Sequence, residues 1–212
     1  PVFWGEDKVR RRMTFAELYD AVSQFAQAMR AEGVKPGDRV AGYLPNMPEA
    51  IISMLAAASL GATWSSCSPD FGLQGVLDRF GQIEPKVLIA SDGYFYNGNT
   101  HDVRKKIADL VGRVPSIQRV VVVPYASTEP NISSIRDAVE LSDFVGNFTP
   151  VDIHFEQMPF DHPLYILYSS GTTGQPKCIV HEAGGMLLKH AVEQVAQFSI
   201  GPDSKVFWFT TL

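Results

Sequence analysis

The chain has 212 residues, of which 45% are hydrophobic, and a formal net charge of −5. This length and apolar content are enough for one sizeable hydrophobic core. Basic residues are scattered except at 10–12, an arginine cluster that we expect to face solvent, so we expect no nucleic-acid partner. No apolar run approaches the ~20 residues of a membrane span, and we expect neither a secretory leader nor a membrane partner. The only cysteines, Cys67 and Cys178, favour a reducing, cytosolic location.

Helical and extended patterns alternate along the first 123 residues. The capping box Thr-Phe-Ala-Glu at 14–17 predicts the start of an amphipathic helix, and Gly33 predicts its end. Pro48 suits the first turn of a second, buried helix that Gly61 ends. The elements predicted after the first helix are strand 39–44, helix 49–60, strand 62–66, helix 73–83, strand 86–90, helix 103–111 and strand 119–123.

The remaining residues are less regular. Residues 125–162 predict a connecting stretch with one helix near 135–141. The elements predicted after it are strand 164–167, strand 178–181, helix 185–198 and a terminal strand over 206–212. Alternating helices and strands with short turns predict an α/β fold, a mainly parallel sheet layered between helices as an α/β/α sandwich. Because the chain begins at Pro1 and ends in an apolar run, we expect it to be part of a longer protein.

The most informative segment is residues 168–177, Tyr-Ser-Ser-Gly-Thr-Thr-Gly-Gln-Pro-Lys, which we call the glycine-rich loop. It follows the apolar strand 164–167. Glycines allow the backbone to approach a polyanion closely and to adopt positive φ. Hydroxyl groups and backbone N–H groups donate to phosphate oxygens, and a lysine adds positive charge. The composition therefore predicts a site that holds a nucleotide triphosphate.

The spacing excludes a Walker A loop. That motif requires G-x-x-x-x-G-K-[ST] followed directly by a helix. Here Gly171 and Gly174 are three residues apart, Lys177 precedes Cys178, and a strand is predicted next. The loop instead resembles the phosphate-binding signature [ST]-[SG]-G-[ST]-T-G-x-P-K of the adenylate-forming ligases. The eight matched positions are Ser169, Ser170, Gly171, Thr172, Thr173, Gly174, Pro176 and Lys177.

Other segments extend the resemblance over the whole chain and narrow it. Residues 36–40 and 45–49 are similar to the early helix–strand–helix of acyl-CoA synthetases. Residues 63–72, 76–80 and 96–98, with Cys178 where most acyl-CoA synthetases carry glycine, resemble the branch that activates acetoacetate. The fold implied is part of the large N-terminal domain of such a ligase, over residues 1–212, without the C-terminal lid domain.

The resemblance implies an acid–thiol ligase. ATP would activate acetoacetate as an acyl-adenylate, and coenzyme A would then displace AMP, with Mg²⁺ bridging the phosphates. Thr172, Thr173 and Lys177 would be catalytic. The residues implied to bind the ATP phosphates are Ser169, Ser170, Gly171, Thr172, Thr173, Gly174 and Lys177. Tyr96, Asn97 and Gly98 fall where relatives contact coenzyme A, although Tyr96 replaces an arginine there. No protein metal ligand is expected within the chain.

Two alternatives stay open. Another short-chain acyl-CoA synthetase, acting on acetate or propionate, fits the same loop, because the acyl pocket of the family is built mostly from segments that follow this region. A non-catalytic truncated chain is the other, and we expect the isolated 212 residues to be inactive. Cys178 as a nucleophile, and His154, His162 and His181 as metal ligands or bases, are less favoured than structural roles.

Overall fold

The computed structural model describes residues 1–6, 8–169 and 174–207. Within these ranges, seven strands form one sheet in the order β11-β10-β4-β3-β5-β8-β9. Its neighbouring strands run parallel, except that β11 is antiparallel to β10. Two antiparallel hairpins, β1–β2 and β6–β7, stand apart from this sheet. The α/β class and the mainly parallel sheet that the sequence predicts are confirmed.

The strands are β1 Val2–Gly5, β2 Val9–Arg12, β3 Arg39–Tyr43, β4 Thr63–Cys67, β5 Val87–Ser91, β6 Gly93–Tyr96, β7 Asn99–Asp102, β8 Arg119–Val123, β9 Ala138–Glu140, β10 Pro163–Tyr168 and β11 Cys178–Glu182. The helices are α1 Phe15–Ala31, α2 Pro48–Ser59, α3 Leu73–Ile83, α4 Arg104–Arg113, α5 Leu141–Val145 and α6 Ala183–His190, which continues into a π-helical segment, Ala191–Gln197.

The central strands are buried on both faces. Successive side chains of a strand point to opposite faces, so neighbours divide between two cores. Val40 packs in one core with α1, α2 and α5, and Ala41 packs in the other with α3 and α4. In β8, Val121 packs in the same core as Val40, and Val120 packs in the same core as Ala41. This two-sided burial explains why these strands are nearly continuous apolar runs in the sequence.

The helix ends follow the predicted local chemistry. The Thr14 side chain accepts from the Glu17 N–H, and the Glu17 carboxylate accepts from the Thr14 N–H, so the capping box is complete. Gly33 and Gly61 follow the ends of α1 and α2 with φ of +77° and +67°, a region that favours glycine. Pro48 begins α2 as predicted. The predicted bounds of α3 and β8 agree with the structure residue for residue.

Other predictions were wrong. The helix expected near 135–141 is instead β9 followed by the short helix α5, because the segment gains its hydrogen bonds by pairing with β8. The helix expected over 185–198 starts at Ala183 and becomes π-helical after His190. Val206 and Phe207 are not in a strand, and the rest of the predicted terminal strand, 208–212, lies outside the described residues.

The arginine cluster lies on β2 and is exposed, as predicted, but two of its members also contact neighbouring side chains. The Arg11 guanidinium forms an ion pair with the carboxylate of Glu49, whose side chain is 8% exposed at the start of α2. Arg10 lies over the Trp4 ring, 4.9 Å from its centroid. The Arg11–Glu49 ion pair therefore attaches the β1–β2 hairpin to α2.

The strand order contains a switch point. After β3 the chain forms β4 on one side of it and then crosses to form β5 on the other side, so the strand order reverses between β3 and β5. In doubly wound sheets, ligands bind in the crevice at the carboxyl ends of the two strands that flank such a point. Asp92 follows β5 there and is 2% exposed. Its carboxylate accepts from the N–H groups of Tyr125, Ala126 and Ser127 at 2.7, 2.9 and 2.8 Å.

Replacing Asp92 should destabilise the protein strongly. Asp92→Ala leaves three partly buried N–H donors without their acceptor, so the free energy of unfolding should fall by about 2–3 kcal/mol. The measurement is urea denaturation of the intact protein. Asp109→Ala is the control, because it removes only an exposed i,i+4 ion pair with Lys105 and should change stability by less than about 0.5 kcal/mol. Equal effects of both substitutions would contradict the role of Asp92.

Candidate active site

The glycine-rich loop joins β10 to β11 at the carboxyl edge of the sheet. Its base continues the antiparallel ladder of the two strands, in which Tyr168 is paired with Cys178. The Ser169 N–H donates to the Lys177 carbonyl at 3.0 Å, and the Lys177 N–H donates to Ser169 Oγ at 3.3 Å. Two of the predicted phosphate-binding residues are thus brought face to face across the base of the loop.

The described part of the loop has an available cation. Gly174 has φ of +96°, a conformation that strains any residue with a side chain. The Lys177 side chain is exposed, and within the described residues its ammonium group makes no hydrogen bond or ion pair. Ser170, Gly171, Thr172 and Thr173 lie outside the described residues. As far as the described residues go, the exposed ammonium of Lys177 can therefore meet an anion at this edge.

Tyr168, the last residue of β10, is held by the neighbouring strand. Ser65 Oγ on β4 lies 2.9 Å from the Tyr168 hydroxyl oxygen and 2.8 Å from the Ile166 carbonyl oxygen. Burial raises the pKa of Tyr168, so its phenol is neutral at physiological pH. A cavity of about 320 Å³ opens beside it. Its lining residues are Ser66, Cys67, Ser68, Phe71, Arg79, Leu167 and Tyr168.

Neither cysteine is activated. Burial raises the pKa of Cys67 to about 12, although the nearby Arg79 acts in the opposite direction. Burial also raises the pKa of Cys178, which is half-buried at the start of β11. Both thiols are protonated near neutral pH, and a thiolate is the nucleophilic form. This supports the structural role predicted for Cys178.

Helix α3 borders the glycine-rich loop through residues that the sequence analysis did not propose as site residues. The Gln82 side-chain amide donates to the Pro176 carbonyl at 2.9 Å, and the Gln175 amide donates to the Asp78 carbonyl at 3.4 Å. The Arg79 guanidinium lies 5.5 Å from the Tyr168 ring centroid. No local sequence pattern predicts these contacts, because they join positions about 90 residues apart.

The predicted coenzyme A segment is the turn of the β6–β7 hairpin. Tyr96 is 68% exposed, and Asn97 and Gly98 have φ of +50° and +75°. Two consecutive positive φ values match the tight hairpin turn for which Asn-Gly is the strongest sequence cue. Its two N–H groups already donate to the Glu6 carboxylate, from Asn97 at 2.7 Å and from Gly98 at 3.1 Å. The turn therefore binds a negative group through its backbone.

The two candidate segments share one edge of the sheet. The β6–β7 hairpin follows β5, and the glycine-rich loop follows β10, which is parallel to β5 through β4 and β3. Carboxyl ends of parallel strands meet at the same edge. Three inter-strand spacings separate β10 from β5, or roughly 14 Å. Lys177 and the turn at 97–98 are thus on the same side of the molecule.

Two of the three histidines considered as ligands or bases, His162 and His181, contact neighbouring groups in the fold. His162 Nε2 lies 2.8 Å from the Gly61 carbonyl oxygen, and the His181 ring packs at 5.1 Å from the Tyr165 ring. His154 is exposed near Glu156. Among residues 1–6, 8–169 and 174–207, no group of three or more His, Cys, Asp or Glu side chains is arranged to hold a metal ion. Over the same residues, no helix is both long and apolar enough to cross a bilayer.

A doubly wound, mainly parallel sheet with a glycine- and hydroxyl-rich loop at its carboxyl edge places the chain in the class of α/β proteins whose ligands bind at that edge. The comparisons with known proteins identify the family. Residues 2–212 match the family model described as AMP-binding enzyme, so the chain belongs to the AMP-binding enzyme family.

Its relatives include acetoacetyl-CoA synthetases. The chain is 52% identical over 211 residues to that of Rhizobium meliloti, covering 99% of this chain and 32% of the relative. It is 48% identical over 213 residues to that of Gallus gallus, covering 98% and 32%. The solved acetoacetyl-CoA synthetase from Streptomyces lividans superposes with a TM-score of 0.89 at 43% identity, covering 96% of this chain and 30% of that one. The chain thus spans about a third of the length of these relatives.

Proposed function

We propose that the protein is an AMP-forming acid–thiol ligase that activates acetoacetate with ATP and transfers the acyl group to coenzyme A. The observation that carries this proposal is the glycine-rich loop at the carboxyl edge, with Lys177 exposed beside Ser169. The similarity to acetoacetyl-CoA synthetases over 98–99% of the chain supports the choice of acid. Residues 1–212 would then be part of the large N-terminal domain, with the lid domain elsewhere in the protein.

The loop would act on the triphosphate. A carboxylate is a poor nucleophile towards an anionic phosphate, so positive charge and N–H donors on the β- and γ-phosphates lower the barrier by dispersing charge on the leaving pyrophosphate. Lys177 supplies that charge. Ser169, Ser170, Thr172 and Thr173 supply hydroxyl donors, and Gly171 and Gly174 supply N–H donors that the phosphates can approach closely.

Coenzyme A would use the turn of the β6–β7 hairpin. Its position beside the β3–β5 switch point and its two converging N–H groups suit a phosphate group of the coenzyme. Because those N–H groups donate to Glu6, a phosphate must displace that carboxylate. Tyr96, exposed beside the turn, is available to stack on the adenine ring.

Mg²⁺ would enter with ATP as a phosphate-bound ion, since Mg²⁺ is held largely by substrate phosphates and water in such sites. The described residues offer no cluster of protein ligands for it, so we assign it no residue in this chain and derive no step through it. A cytosolic location fits the free cysteines Cys67 and Cys178.

The intact protein should exchange labelled pyrophosphate into ATP when acetoacetate is present. The exchange reports reversible formation of the acyl-adenylate without coenzyme A. A panel of acetoacetate, acetate, propionate and butyrate at equal concentration should give the highest kcat/KM with acetoacetate. A higher kcat/KM with acetate or propionate would show that another short-chain acid is the substrate. The absence of exchange with every acid would indicate a protein without this activity.

Lys177→Ala should weaken that exchange. Removing one charge-assisted phosphate contact, worth about 1.5–3 kcal/mol, should lower kcat/KM for ATP by roughly 10- to 100-fold. Lys105→Ala is the matched control, because Lys105 is 88% exposed on α4 and pairs with Asp109 on the same helix. If Lys177→Ala exchanges pyrophosphate as fast as wild type, Lys177 takes no part in the mechanism.

Glu6→Gln should lower the KM for coenzyme A by roughly threefold, because a neutral side chain competes less well than a carboxylate for the N–H groups of 97 and 98. Steady-state acyl-CoA formation at saturating ATP measures this. Glu84→Gln, an exposed substitution at the end of α3, should leave the KM unchanged. An unchanged KM for coenzyme A in Glu6→Gln would indicate that the coenzyme does not bind at this turn.

A further inference from the structure

The face of α3 that borders the glycine-rich loop makes polar contacts with both of its ends. Gln82 donates to the Pro176 carbonyl at 2.9 Å, one residue before Lys177. Gln175 reaches back to the Asp78 carbonyl at 3.4 Å. At the other end of the loop, Arg79 lies over the Tyr168 ring. Residues 75, 79 and 82 are spaced i, i+4 and i+7, so they share one face of the helix.

Gly75 makes room for this arrangement. A Cβ atom there would lie 3.3 Å from Phe71 Cδ1 and 3.7 Å from Arg79 Nη1. Its carbonyl accepts from Arg79 Nη1 at 2.7 Å, and the guanidinium packs 4.5 Å from the Phe71 ring centroid. Glycine inside a helix costs about 1 kcal/mol relative to alanine. The close stack of Arg79 on Phe71 leaves little space for a Cβ atom at position 75, which explains why a glycine stands there despite this cost.

We propose that Gln82 is a positioning residue for Lys177, which is a step beyond the proposed function and rests on it. Gln82 touches no reacting atom. Its amide has two N–H donors, one of which reaches the Asp78 carbonyl at 2.5 Å while the other reaches Pro176. The first contact orients the side chain and the second fixes the backbone just before Lys177. The backbone that carries the ammonium is thereby already ordered, so only the lysine side chain remains to be ordered when the triphosphate binds.

The variant that tests this is Gln82→Glu in the intact protein. Glutamate has nearly the same shape but no N–H to donate, so the tether to Pro176 is lost. The KM for ATP in pyrophosphate exchange should rise roughly three- to tenfold, while the KM for acetoacetate stays unchanged. Gln82→Lys restores a donor and should return the KM for ATP to within about twofold of wild type. Gln74→Glu makes the same charge change on the same helix, where the Gln74 amide donates to the Asp78 carboxylate and not to the glycine-rich loop as far as the structure describes it, and should have no effect.

Hydrogen–deuterium exchange separates this inference from the proposed function. In Gln82→Glu, the amides of residues 174, 175, 177 and 178 should exchange faster than in wild type and in Gln74→Glu. If wild type lacks pyrophosphate exchange but these amides still loosen, the proposed function fails and the tether stands. If wild type is active and Gln82→Glu matches it in both the KM for ATP and amide exchange, the positioning role is wrong. Failure of Gln82→Lys to restore the KM would equally overturn the hydrogen-bond explanation.

Discussion

The fold depends on burying the central strands from both sides at once. Val40 and Ala41, adjacent in β3, belong to different cores, and so do Val120 and Val121 in β8. A parallel sheet buried in this way has few free surfaces, because helices cover its faces and neighbouring strands satisfy its backbone. What remains accessible along the central strands is the edge where they end. Polar chemistry is therefore concentrated at the carboxyl ends of β5 and β10.

The residues at that edge differ in what holds them. Asp92 is almost fully buried, and it fixes the segment after β8 by accepting three backbone hydrogen bonds. Ser65 fixes the end of β10 through Tyr168. Lys177 and the turn at 97–98 are exposed, so they gain little from packing, and the N–H groups of the turn donate to the exposed carboxylate of Glu6. The buried polar groups build a rigid rim, and the exposed ones face outward from it.

Local chemistry allowed much of the fold to be predicted from the sequence. The capping box at Thr14, the glycines after α1 and α2, and the apolar run of β8 each depend on neighbours within a few residues. Two features that the sequence analysis missed have a common cause. Segment 138–140 is a strand because β8 lies beside it, and the ion pair of Arg11 with Glu49 spans 38 residues. Neither partner is visible in the local sequence. The β6–β7 hairpin was also missed, but for a different reason, because its Asn-Gly dipeptide at 97–98 is a local sequence cue for a hairpin turn.

The same distinction applies to the candidate site. The composition of the glycine-rich loop suggests what it could bind, because glycines, hydroxyls and a lysine suit phosphate wherever they occur in sequence. Composition does not determine how such a segment is held. Glycine, serine and threonine bring little apolar area to bury, so they cannot fix their own arrangement by packing. The order must come from neighbours: the Ser169–Lys177 pair at the base and the amide of Gln82 beside Pro176. A loop built this way combines a local sequence motif with a distant helix, and only the folded chain shows which helix that is.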